Sequence, residues 1–342
     1  MLKHIGFLVL LFTSTLAQAL PNDSDSQLNS DQPYSDKQWQ TITNKAKGQT
    51  VYFYAWGGSQ QINNYLRWAD KRLNNTYGVR LKHVKVSDIS EAISRLVAEK
   101  TAKKDSNGSV DMVWVNGENF KSMKQYDLIT NSFAKKLPNW RYVDTNLPVD
   151  SDFSEPTLGL EAPWGVGQLI FIYDKANKRT PPRSFADMLT YAQAYPNKIT
   201  YPQPPSFHGT SFLKSALLEL AADKSTLYNP VDKANFQSVT APLWQYLDKL
   251  HPLTWRQGKQ FPKNSAETTQ LLDDGEIDLA ISFNPNEVIR AQKNGDLASS
   301  TAAYALDAGA LSNIHFLSIP WNASAKEQLF WQANYGVEQV FF

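Results

Sequence analysis

Two short stretches set glycine, hydroxyl and aromatic side chains where a folded chain can meet a small molecule: Trp56-Gly57-Gly58-Ser59 and Phe207-His208-Gly209-Thr210-Ser211. Each leads into a helical run of apolar residues. The first N–H groups of a helix have no intrahelical partner, so they favour an anion or a polar acceptor, and glycine lets a ligand approach the backbone. The same residues would also serve as plain turns and caps. Trp56 and Trp164 lie beside glycines. An exposed indole suits a flat ring or an organic cation, at roughly 0.5–2 kcal/mol per contact. Packing at a hinge is the rival reading for Trp164, and Trp114, inside a β-type run, is expected in the core. Asn116, Glu118 and Asn119 follow that run, with Glu118 as a candidate countercharge, and Asn284 follows a later one.

A metal site could draw on His208, Glu118 and His315, but no metal-ligand spacing supports it and no metal is expected. Catalysis has no sequence footing either. Gly-x-Ser-x-Gly and His-Glu-x-x-His are absent, and Asp273 and Asp274 are adjacent, so on a helix they diverge. The nucleotide-cradling Gly-x-x-x-x-Gly-Lys-Ser/Thr loop is absent too. The expectation is a protein that is not an enzyme and carries no cofactor, with an exported hydrolase as the rival.

These residues need a scaffold. Residues 51–55 read as a buried strand, and a helix follows with Ile62, Tyr65, Leu66, Ala69 and Leu73 on one face, stopped at Tyr77-Gly78. Residues 79–86 form a second strand. Asp88 caps the next helix, with Glu91 completing a capping-box-like pair, and 110–115 form a third strand. This β-α-β-α-β order predicts a parallel sheet, whose ligands bind beyond the carboxyl ends of its strands. The loops at 56–59 and 116–119 fall there. A second unit repeats the grammar: a strand at 167–173, a helix capped by Ser184, a short strand at 198–201, a loop at 202–209 and a helix from Thr210 or Ser211. Helices at 243–250 and 266–272 and a strand at 277–283 continue it, and 314–319 reads as one more strand, reached through the Gly309 loop. The chain is expected to cross between units near 157–164 and 303–309, which makes a cleft with a hinge.

Composition fits a globular chain of 342 residues, 42% hydrophobic and 20% charged, with a net charge of +1. That balance speaks against a nucleic-acid partner. Lys3 and His4, an apolar run at 5–16 and Ala17-Gln18-Ala19 have the layout of a secretory signal peptide, with cleavage after Ala19 and a polar leader over 20–38. The apolar run is too short to span a bilayer comfortably. With no cysteine there is no disulfide and no lipidated anchor. The expected product is a periplasmic, soluble, monomeric protein.

The ordered set Tyr54-Ala55-Trp56-Gly57-Gly58, Asp111-Met112-Val113-Trp114-Val115-Asn116-Gly117-Glu118, Pro163-Trp164-Gly165-Val166-Gly167, Pro181-Pro182-x-Ser184, Ser206-Phe207-His208-Gly209-Thr210-Ser211 and Gly275-Glu276-Ile277-Asp278-Leu279-Ala280 resembles the solute-binding proteins of ATP-driven (ABC) importers. It is most similar to their YnjB-like branch, itself similar to thiamine, polyamine and iron receptors, over about 50–324. The resemblance implies an α/β, two-lobed, type II periplasmic-binding fold. Lobe 1 would hold 39–158 plus 306–324, and lobe 2 would hold 159–305. It also implies lobe closure on a small polar or cationic ligand and delivery to an inner-membrane permease and its ATPase. A thiamine-like cation, an anion and a metal all stay open as ligands, in that order, and the lack of a Tyr-Tyr pair counts against iron. A non-transport binding or sensor module also stays open. Relatives continue with further helices after 314–319, whereas 325–342 lacks an amphipathic period, so a truncated or frameshifted tail is expected there.

Overall fold

Val51, Phe53 and Ala55 are buried on one side of β1 (Thr50–Trp56), while Thr50 and Tyr52 are exposed on the other. That alternation is the period-two signature of a strand with one face on a core. The computed structural model describes residues 32–129, 131–229 and 231–325. Within them, α2 (Gln60–Tyr77) returns the chain over the sheet. It is capped by Ser59, whose hydroxyl accepts from the Ile62 N–H, and it ends at Gly78 in the left-handed region (φ 67°). β2 (Arg80–Val86), α3 (Ser90–Thr101) and β3 (Met112–Val115) follow, and β1 pairs in parallel with both β2 and β3. The Asp88 carboxylate accepts from the Ser90 N–H and the Glu91 carboxylate reaches back to the Asp88 N–H, but the N-cap position is Ile89, so Asp88 stands one residue before the cap expected of it.

Two antiparallel strands complete this sheet, β6 (Glu161–Gln168) and β10 (Ser312–Ser318), giving the order β2-β1-β3-β10-β6. A three-stranded sheet stands apart from it, ordered β8-β7-β9, from β7 (Ile170–Asp174), β8 (Ala280–Ser282) and β9 (Thr301–Tyr304). The cores separate in the same way. One cluster holds Phe53, Phe120, Phe133 and Phe316 on the five-stranded sheet. Two others pack α5 (Phe185–Ala194), α6 (Phe207–Leu220), α7 (Phe236–Leu250), α8 (Ser265–Asp273) and α9 (Glu287–Asn294) around the smaller sheet. The segment 321–325 returns to the first core. Its Ser324 and Ala325 N–H groups donate to the buried Asp111 carboxylate, which also accepts from the Tyr52 N–H.

The sequence expectation needs adjustment in several places. The strand foreseen at 167–173 is two strands in different sheets, separated by Leu169 alone. Its N–H donates to the Leu311 carbonyl, and the Gln168 N–H donates to that of Phe283. Pro163 and Trp164, expected at a crossing, lie inside β6, where an edge strand tolerates a proline. Residues 198–201 join no ladder. They are held singly, the Lys198 and Ile199 carbonyls accepting from the Asp278 and Trp255 N–H groups. α6 starts at Phe207, because Ser206 caps it through the Gly209 N–H. α1 (Asp36–Ala46) begins inside the expected leader, with Ser35 and Gln38 forming a full capping box. The expected signal peptide and the expected atypical tail lie outside the described residues, apart from Ala325.

Candidate functional site

The carboxyl ends of β1, β2 and β3 all open on one cleft of about 810 Å³, which the α6, α8 and α9 side of the smaller sheet faces. Its volume is in the range of small-molecule sites. Trp56, Gly57, Gly58 and Ser59 line it from the β1 end, and Asn116 and Asn119 from the β3 end. Phe207, His208 and Asn284 line it from the opposite side. Nine of the sequence candidates are therefore brought together.

Aromatic rings form much of the wall. The indole of Trp56 lies over Gly58, where a Cβ would come within 2.3 Å of Trp56 Cζ2. Trp56 packs edge-on against Trp114, with ring centroids 6.5 Å apart, and lies 6.3 Å from the His208 ring of the other lobe. His208 in turn lies 5.6 Å from Phe283, and Trp114 lies 4.8 Å from His315. Trp114 is both buried and a lining residue, so its core assignment holds only in part.

The remaining candidates stand elsewhere. Trp164 is buried in β6, edge-on to Trp114 at 4.8 Å, as a packing residue. Glu118 points to Lys214 at 3.6 Å and is not among the lining residues. Gly209, Thr210 and Ser211 fall in the first turn of α6 rather than in a loop. A Cβ on Gly209 would meet the Pro202 carbonyl oxygen at 2.0 Å, so this glycine serves a close helix-to-loop contact. Ser211 is fully buried.

Charge in the cleft is unbalanced. Asp88, Asp273, Glu287 and Asp296 line it against Lys263 and Arg290 among the described residues. Arg290 is already engaged by Glu287 and, at 3.6 Å, by Asp296. The two histidines add no charge at neutral pH. Burial holds both imidazoles down to about 4; the Asp88 charge opposes this at His208, and His208 reinforces it at His315. No group of three or more histidine, cysteine or acidic side chains suited to a metal ion exists among the described residues.

Sequence reasoning missed most of this wall. The rule that pointed to the ends of β1 and β3 applies equally to β2, whose Ser87, Asp88 and Ile89 line the cleft. The contributions of α8 and α9, including Asp273 and Arg290, come from separate elements and share no local spacing. The one available signal was Asn264, which caps α8 through the Glu267 N–H and lines the cleft.

A five-stranded sheet of order β2-β1-β3-β10-β6 and a second, three-stranded sheet, joined by two crossings, share one cleft. The sequence model described as "Bacterial extracellular solute-binding protein" matches residues 68–330. The chain belongs to that family. It is 46% identical over 287 residues to Protein YnjB of Escherichia coli (strain K12), covering 84% of this chain and 74% of that protein. Among solved structures, the periplasmic binding protein AfuA of Actinobacillus pleuropneumoniae, with fructose-6-phosphate bound, superposes with a TM-score of 0.61 at 14% identity, over 84% of this chain and 79% of that one. The spermidine/putrescine substrate-binding protein PotD of Streptococcus pneumoniae gives 0.61 at 14%, over 85% and 78%. This solute-binding protein thus has the type II periplasmic-binding fold, two lobes with the ligand cleft between them. Its role is that of the substrate-binding component of an ABC importer. No helix among the described residues is long and apolar enough to cross a membrane.

Proposed function

We propose that this solute-binding protein works in the periplasm as a soluble monomer and captures a small organic cation between its lobes. The observation that carries the reading is the composition of the cleft: Glu287 and Asp296 pair with Arg290, which leaves Asp88 and Asp273 against Lys263, beside the rings of Trp56, Trp114, Phe207 and Phe283. A cation entering this space gains carboxylate partners and an indole face together. We assign the ligand-binding role to Trp56, Gly57, Gly58, Ser59, Asn116, Asn119, Phe207, His208 and Asn284, joined by Asp88, Asp273 and His315. Lobe 1 is taken as the body of the five-stranded sheet and lobe 2 as that of the smaller one. They meet at Leu169 and again in the stretch between β9 and β10. Closure about these two crossings would bring the walls together, and the closed form would dock on the permease and its ATPase.

An anion is the second reading, favoured by the helix start at Ser59 and by Lys263. The experiment is a thermal-shift panel on the purified protein: thiamine, spermidine, sugar phosphates, inorganic anions and divalent metals, each with an assay for turnover. A ligand that binds only the folded state raises its stability. Saturable stabilisation by a cation without turnover supports the proposal. Stabilisation by anions alone, or hydrolysis of any member of the panel, overturns it.

A further inference from the structure

Outside the cleft and the two crossings, the lobes also meet where the tip of a hairpin of lobe 1 touches lobe 2. β4 (Ser151–Asp152) and β5 (Glu155–Pro156) are joined by Phe153 and Ser154, at φ 45° and 73°. A two-residue hairpin turn of the primed type needs both central residues in the left-handed region, where asparagine and glycine are at ease and a bulky aromatic is not. A phenylalanine here opposes the local preference, so its ring has to be explained by what it touches.

The hairpin is tied to lobe 1 by two contacts with α4 (Gly117–Gln125). The buried Asp152 carboxylate accepts from the Gly117 N–H at 2.5 Å. Lys124 Nζ reaches Glu155 Oε1 at 2.5 Å and the Pro156 carbonyl at 3.1 Å. Gly117 lets the tip settle, since a Cβ there would stand 3.2 Å from the Phe153 ring. The same ring also meets lobe 2. Lys214 of α6 places its ammonium 4.6 Å from the ring centroid, and Phe207 packs edge-on at 6.2 Å. Lys214 also pairs with Glu118 of α4 at 3.6 Å. Both ends of the contact run into the cleft: Gly117 follows Asn116, and Phe207 opens α6, and both Asn116 and Phe207 line it.

We propose that this hairpin is an inter-lobe clasp. Phe153 and the Glu118–Lys214 pair hold the two lobes together away from the ligand and set how readily the cleft closes. The clasp rests on the reading of the cleft as one that closes on its solute. Phe153 is a positioning residue, acting on the ligand only through the lobe arrangement. The ring lies between a helix of each lobe, so an opening that separates α4 from α6 must give up its contacts with Lys214 and Phe207 together with the ion pair.

The chain has no cysteine, so thiols introduced by Lys71→Cys on α2 and Lys293→Cys on α9 can be labelled alone for single-molecule energy transfer. The reading is the open-to-closed ratio of ligand-free protein. Phe153→Gly suits the left-handed turn and removes the benzyl side chain; it is expected to raise the ratio about two- to fivefold. Glu118→Lys and Lys214→Glu should each raise it by a similar factor, and the double reversal should bring it back toward the parent value. Unchanged ratios in all three single variants, or a double reversal that only adds the two single effects, would overturn the clasp. These ratios are read without ligand, so they decide the clasp even where the thermal-shift panel finds no ligand, and the two failures are told apart.

Discussion

His208, from the first turn of α6, and His315, from β10, line one cleft from opposite lobes, and each is kept neutral by its burial. Neither ring adds positive charge to a wall rich in carboxylates. Protonation of either would work against both the fold and a cationic guest.

The pair sets a pH window. A histidine whose folded pKa falls from 6.5 to about 4 lets the unfolded chain bind the extra proton between those values. Its contribution is therefore fully present above pH 6.5 and is lost as the pH falls toward 4. Urea midpoints should decline over that interval, and His315→Gln should flatten the decline. A midpoint in the parent protein that is level from pH 7 to 4.5 would contradict this.

A buried acid pair has the opposite sign. Burial is the chief cause that raises Asp152 to about 8 and Glu161 well above its usual range, and neither Glu161 oxygen finds a hydrogen-bond partner among the described residues. A carboxyl group with a raised folded pKa contributes stability at low pH that is lost as the pH rises through the folded value. Glu161→Gln removes the titration. The melting temperature of the variant minus that of the parent should grow between pH 5 and 8; a difference independent of pH would sink the prediction.

Trp56 and Gly58 act as a unit. Trp56→Ala should weaken binding of the compound selected by thermal shift by about 2- to 30-fold, the range of one cation–π contact. Gly58→Ala should produce a comparable loss by displacing the indole, whose Cζ2 lies 2.3 Å from the new Cβ. Calorimetric titration reads both. Equal affinity in the parent and both variants would remove Trp56 from the site.

Gly209 serves the fold rather than the ligand. Alanine there meets the Pro202 carbonyl at 2.0 Å, a backbone atom that cannot swing aside. Gly209→Ala should cost about 1–3 kcal/mol in chemical unfolding, the range of an overpacked contact. A neutral result would mean that the 202–205 loop yields freely.

Much of the first lobe was legible because its signals are local. Val51, Phe53 and Ala55 alternate along a strand, and Ile62, Leu66, Ala69 and Leu73 follow a helical period that a glycine closes. The division at Leu169 was not legible. The strands on either side of it are largely buried, and an apolar run interrupted by the single Gln168 does not say which sheet it enters. α6 was placed too late because Gly209 reads as a breaker in sequence, while in the fold it lets the helix touch Pro202. Glu118 looked like a countercharge for a ligand, yet it faces Lys214, a residue 96 positions away whose approach no spacing announces.

Native mass spectrometry of the protein purified from exporting cells tests capture in the cleft most directly. A bound small organic cation is predicted, retained by the parent and lost by the Trp56→Ala, Asp273→Asn double variant. A protein that always flies without a guest, or a guest that the double variant keeps as firmly as the parent, would contradict it.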